Sequence, residues 1–217
     1  MSSERTGAAT PFRFGLLAAI LVAVGASSCN RRPAPVQRLA IPAFENLGAD
    51  KSDDWMATAF AEVLAGQLRR SGVVRPIRVA TRADAAATGA THILHGYFYR
   101  RKGRLVVKGS VEEVASVKTS RTLTAAGPTL LTAANTIARQ IDPKAEPYGT
   151  SNEAALRALL EGRAAGDPAS AAAAFERAVK ADPAFGAASA AWGQALTSEK
   201  RYAEAAAALR EAMRRDP

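Results

Sequence analysis

Four sets of side chains in this 217-residue sequence are of types that do chemistry: His92 with His95, Asp53 with Asp54, Glu112 with Glu113, and the single cysteine, Cys29. Paired histidines hold metals, paired carboxylates do acid/base work, and a thiol is a nucleophile or an acyl acceptor. His92 and His95 stand three apart on a β-branched, aromatic run. On a strand that spacing sends their side chains to opposite faces, so they do not share a metal and read as structural. The two carboxylate pairs are adjacent residues, read as the start of a helix and the solvated end of a strand. ENLGADKSD (45–53) lacks the glycine spacing and GK[ST] ending of a phosphate loop, and no G-x-S-x-G elbow occurs. The sequence therefore predicts no catalytic residues, no cofactor and no metal site.

Cys29 is different, because of what precedes it. Arg5 and Arg13 supply a positive flank, Phe14–Ala26 is an uncharged apolar run, and Ala26-Ser27-Ser28 lead into the cysteine. A run this short suits the core of a secretory signal better than a membrane span, which needs about 20 apolar residues. FGLLAAILVAVGASSC resembles the lipobox of bacterial lipoproteins. That resemblance implies a signal peptide over 1–28, cleavage before Cys29 and acylation of its sulfur. Several acyl chains hold a protein that one chain would release, at about 0.8 kcal/mol per buried methylene. Residues 29–36, including Arg31-Arg32-Pro33-Ala34-Pro35, read as a short stiff tether. Asn30 follows the cysteine where inner-membrane lipoproteins tend to carry Asp. The expected place is therefore the cell envelope, lipid-anchored at the outer membrane and facing the periplasm. With Cys29 acylated, no thiol is left for disulfides or catalysis.

Charge divides the remainder. Residues 37–151 hold 16 Lys/Arg and 10 Asp/Glu, whereas residues 152–217 hold nine of each. The contrast supports two domains, the first basic enough to face anionic lipid, acidic glycan or an acidic protein. An exported chain does not meet nucleic acid.

The elements that must position these groups follow from periodicity. Gln37–Phe44 reads as a strand apolar on both faces. Ser52 is the expected cap of an amphipathic helix over 53–70, with Met56, Phe60, Val63, Leu64 and Leu68 on one face. Ile77 and Val79 mark a second strand, and 82–88 a small helix closed by Gly89. Residues 89–114 read as a hairpin turning at Arg100-Arg101-Lys102-Gly103, where glycine suits a positive φ. A further strand over 116–125 and a helix opened by Pro128 complete the order β-α-β-α-β-β-β-α. LAIPAFENLG, the acidic-capped helix and GATHILHG before a hairpin resemble the TolB amino-terminal-like domain over 37–142. The resemblance implies an assembly and interaction module without catalytic residues. Residues 143–151, with two prolines and a glycine, read as a linker.

Beyond it the chain repeats itself. FERAVKADP (175–183) lines up with LREAMRRDP (209–217) at an offset of 34, which is the tetratricopeptide signature. Helices are expected near 152–165, 168–181, 186–199 and 202–214. Small Gly193, Ala171, Ala178, Ala205 and Ala212 would let paired helices approach, with Phe175, Trp192, Tyr202 and Leu209 filling the space around them. In the first repeat Leu159 stands where Gly193 stands in the second, and Gly162 falls where a bulky residue is usual. By resemblance to such arrays, Leu156, Arg163, Gln194 and Thr197 would line a partner groove. Arrays of this kind generally hold about three repeats, so two before Pro217 imply a longer array or a docked last pair.

The fold class expected is thus an α/β domain, a mixed sheet with packed helices, followed by all-α tetratricopeptide hairpins that melt independently across the linker. The expected function is a membrane-anchored scaffold for envelope proteins, with activation of a cell-wall synthase as the alternative.

Overall fold

The computed structural model describes residues 37–215. Cys29, the signal peptide, the tether and the last Asp-Pro lie outside the described residues.

Strand β1 (Gln37–Ile41) runs parallel to both of its neighbours, β3 (Val74–Arg78) and β4 (His92–Arg101). The expected strand over 37–44 breaks after Ile41, then resumes as the short β2 (Glu45–Asn46), which also lies parallel to β4. Antiparallel β5 (Arg104–Glu113) and β6 (Thr119–Gly127) extend the sheet in the order β3-β1-β4-β5-β6. Lys102 and Gly103 form the two-residue turn between β4 and β5, with φ of 51° and 75°. Both central residues in the left-handed region match the twist of the flanking strands.

Helices α1 (Trp55–Ser71) and α3 (Leu130–Ile141) cover one face of the sheet, where Leu39, Ile41, Leu94, Phe98, Leu105, Val107 and Leu123 form the main core. Ser52 is not the cap of α1. Asp50 accepts its N–H and caps a single 3-10 turn, while Asp54 precedes the helix and takes a hydrogen bond from Asn46. Gly72, at φ 72°, ends α1 in the left-handed conformation that only glycine adopts without strain. Phe60 stacks between Phe44 and Phe98, with ring centroids 5.3 and 5.4 Å away. Among the described residues, the opposite face of the sheet is covered at one end only. There the single-turn helix α2 (Asp84–Ala87) sets Ala85 against Ala40 and Ile93. The expected helix over 82–88 is this one turn.

Strand β6 is one edge of the sheet, opposite β3, and a side chain closes its middle. Gln140 of α3 accepts from the Thr124 N–H and donates to the Thr124 carbonyl, as a neighbouring strand would.

Four further helices form two antiparallel pairs: α4 (Glu153–Ala164) with α5 (Pro168–Ala181), and α6 (Gly186–Ser198) with α7 (Tyr202–Arg215). The starts of the first pair follow from local chemistry. Asn152 accepts from the Ala154 and Ala155 N–H groups at α4, and Asp167 accepts from Ser170 ahead of Pro168 at α5.

Residues 143–151 are not a free linker. Gln67 of α1 donates to the Glu146 carbonyl and Arg70 to the Pro147 carbonyl. Ala145 is buried in the main core, and Tyr148 meets Phe185 edge-on at 5.9 Å. Thr150 donates to Asp182 across the base of the first helix pair. Leu156 of α4 is fully buried in the same core as the sheet, so the described residues fall in one compact unit.

Candidate interaction surface

The side chains that looked most chemical are spent on structure. His95 points to the open face of the sheet, where its Nε2 lies 2.8 Å from Glu112 and 3.1 Å from the Ser110 hydroxyl. Serine, histidine and glutamate together suggest a nucleophile and its base. Here both partners reach the same ring nitrogen, so no proton can pass through the ring from one to the other. Glu112 is not a solvated strand end: it is largely buried and also takes an ion pair from Arg82. His92 contacts the Thr91 hydroxyl instead. Among the described residues no group of three or more His, Cys, Asp and Glu comes together to hold a metal. No described helix is long and apolar enough to cross a membrane.

The basic turn is divided as well. Arg100 is drawn back from it onto buried Asp53, with nitrogen–oxygen distances of 2.7 and 3.2 Å. That hydrogen-bonded pairing raises the Arg100 pKa. Arg101, Lys102 and Arg104 stay exposed.

The concave surface lies among the helix pairs. A groove of about 570 Å³ opens between the α4–α5 turn and α6. Its floor is small-residue surface, Ala171, Ala187 and Ala191, with the edge of Phe175. Arg163, Asp167 and Gln194 supply its polar rim. Asp167 is held below the usual carboxylate range by the Ser170 N–H it caps. Arg163 is fixed by Glu62 of α1 at 2.6 Å. Behind it Tyr148 has its phenol pushed up to about 12, first by burial and then by the negative charge of Glu62.

The residues singled out from the sequence divide accordingly. Arg163 and Gln194 line the groove, whereas Thr197 turns its hydroxyl onto the Gly193 carbonyl of its own helix. Leu156 does not line it; the residue is 0 % exposed and faces α1 and the sheet core. Ala178, Ala205 and Ala212 are buried, Ala171 and Trp192 are half-buried, and Phe175 is 7 % exposed. Leu209 lies across Gly193, where an added Cβ would come within 2.7 Å of its Cγ. Tyr202 is a correction: it is 64 % exposed at the start of α7 and fills no inter-helix space. Gly162 is another. A Cβ there would meet the Phe175 ring at 2.4 Å, so glycine is what lets α5 approach α4. The close approach in the first pair is thus at Gly162, three residues past the position that aligns with Gly193.

No family model matches the chain, and no curated protein sequence is significantly similar to it. Its similarities to solved structures are partial. It is similar to the PelC dodecamer from Paraburkholderia phytofirmans, at 21% identity and TM-score 0.38, over 52% of this chain and 92% of that one. It is also similar to the LpoB C-terminal domain from Salmonella enterica, at 14% and 0.37, over 43% and 83%. For TolB from Acinetobacter baumannii the values are 15% and 0.35, over 55% of this chain and 31% of that one.

Proposed function

We propose that the chain is a lipid-anchored protein of the bacterial envelope that presents its two helix pairs as a docking platform for other envelope proteins. The groove of about 570 Å³ with a small-residue floor and a polar rim carries this reading, because it accepts an extended or helical segment without rearranging the core. The 34-residue offset, with Phe175 and Leu209 each packed on a glycine of the preceding helix, supports reading the pairs as tetratricopeptide repeats. The apolar run ending at Ala26-Ser27-Ser28-Cys29 supports the anchor. The platform does no chemistry in this reading; it sets a local concentration at a membrane surface.

The test replaces Gln194 with a photo-crosslinking amino acid in intact cells of the native host. Discrete adducts with envelope proteins are the expected result, and the complete absence of adducts overturns the platform. Mass spectrometry of the mature amino terminus checks the anchor separately. Cys29 should come first and carry several acyl chains, and an intact Met1 in the membrane fraction would refute it.

A further inference from the structure

A second concavity lies outside the groove, where α1 meets α4. It encloses about 350 Å³. Trp55 of α1 and Leu160 of α4 form its apolar floor, both packed on the main core. Arginines make its rim: Arg78 from the end of β3, and Arg157 and Arg163 from α4. The Arg157 guanidinium stands 5.7 Å from the centre of the Trp55 ring, which holds the cation over the floor.

The charge around this rim is not balanced. Glu62 is shared by Arg78 at 2.5 Å and Arg163 at 2.6 Å. Glu161 is shared by Arg157 at 3.2 Å and Arg177 at 2.9 Å. Four guanidiniums therefore divide two carboxylates. A guanidinium carries five N–H donors in a planar fork, and each of these contacts uses few of them. Donors and positive charge are left over, and the side chains of Arg78, Arg157 and Arg163 are 49%, 51% and 40% exposed. The carboxylates fix the forks in place, so little side-chain entropy remains to be lost when an anion arrives.

We propose that the cavity between α1 and α4 is a docking site for an acidic peptide segment with an apolar or aromatic anchor residue. The anchor sits on Trp55 and Leu160, and flanking carboxylates accept hydrogen bonds from Arg157, Arg78 and Arg163. The chemistry selects this occupant over others. A basic segment meets the arginine excess, a purely polar anion leaves the Trp55 floor wet, and a purely apolar segment leaves the arginine forks unpaired. This goes beyond the platform proposed above, since it uses a surface on the opposite side of Arg163 and does not depend on the lipid anchor.

The test uses the full chain in phosphatidylcholine nanodiscs, with empty nanodiscs as the blank. The probe is a short fluorescein-labelled peptide in which a single phenylalanine is flanked by glutamates, read by fluorescence anisotropy. Saturable binding is expected, weakened about tenfold by Arg157→Gln and by replacing the peptide's phenylalanine with serine. A Glu-to-Lys version of the peptide should not bind. Trp55→Ala should weaken binding too. Because that change can loosen the core, Arg157→Glu serves as the solvent-side variant: it should abolish binding of the acidic peptide while leaving the circular dichroism spectrum unchanged. No saturable binding, equal binding of the lysine peptide, or wild-type affinity in both Arg157 variants overturns the proposal. Equal affinity for the serine peptide removes the anchor and reduces the site to a patch of charge. Failure of the peptide to bind the wild-type chain while Gln194 adducts form in cells would sink this site and leave the groove standing, so the two readings are separable.

Discussion

Gly96 shows how much a single atom decides in this fold. It pairs with Gly109 across β4 and β5, and Cε1 of the Phe44 ring stands over the two. A Cβ at Gly96 would stand 2.4 Å from the Lys108 carbonyl oxygen and 2.7 Å from Phe44. Phe44 in turn stacks on Phe60, so the collision reaches α1. Overpacking of a core typically costs about 1–3 kcal/mol, and a backbone carbonyl cannot yield as a side chain can. Gly96→Ala should therefore cost at least the upper part of that range, measured as a shift in the urea midpoint. A variant with wild-type stability would mean that β4 and β5 separate more freely than their register implies. The glycine of GATHILHG was visible in the sequence, but its reason was not, because Phe44 reaches it from the break between β1 and β2, some fifty residues earlier. His95 and Glu112 share that limit. Their residue types were plain, yet it took register, Ile93 opposite Glu112 and His95 opposite Ser110, to turn two candidate groups into one spent cluster.

At the scale of elements, periodicity located nearly every helix and strand, since an apolar stripe marks a face regardless of what covers it. The break at Ile41 and the single turn of α2 were hidden, because both depend on neighbouring strands rather than on local pattern. The helix pairs follow the 34-residue offset closely, but their contact points do not. Phe175 is longer than Leu209 by most of a ring. The side of its ring, Cε1 and Cδ1, lies on Gly162, about one turn beyond the aligned position. In α6 and α7, Ala205 is buried beside Leu196 and Ala208, and a Cβ on Gly193 would be 3.2 Å from the Ala205 carbonyl oxygen. Ala205→Leu should thus pry α7 from α6 and lower stability by about 1–3 kcal/mol. Thermal unfolding followed by circular dichroism reads the loss; an Ala205→Leu protein as stable as wild type would remove the close α6–α7 packing.

The described part of the molecule behaves as one body because of what crosses its middle. The contrast in charge between residues 37–151 and 152–217 is real in the sequence, and so are the two prolines and glycine between them. Those features suggested two independent domains. Periodicity identified Leu156 as apolar on α4 but could not say that the sheet core would cover it. Ala145, Leu156 and Leu160 join the helix pairs to the core, and Gln67 and Arg70 hold the intervening chain. Leu156→Ala should cost about 2–5 kcal/mol, the usual range for a truncated core leucine. It should lower the melting of sheet and helices together, as one transition. The check is to follow the amide I infrared bands of strand and helix in the same melt. Helices that melt first and leave the sheet intact would return the molecule to two domains.

The seal that Gln140 places on Thr124 has a consequence for how this fold can change length. The amide works only if α3 keeps its phase and starts at a fixed distance from β6, so the 16 positions from Thr124 to Gln140 form a ruler. One residue inserted at Gly127–Thr129 turns α3 by about 100° relative to the strand, carrying Gln140 off the edge and Ile137 out of the core. The turn around Val117 has no such duty: residues 115–118 are exposed. Relatives of this chain should therefore vary in length between β5 and β6 and hold their length between β6 and α3.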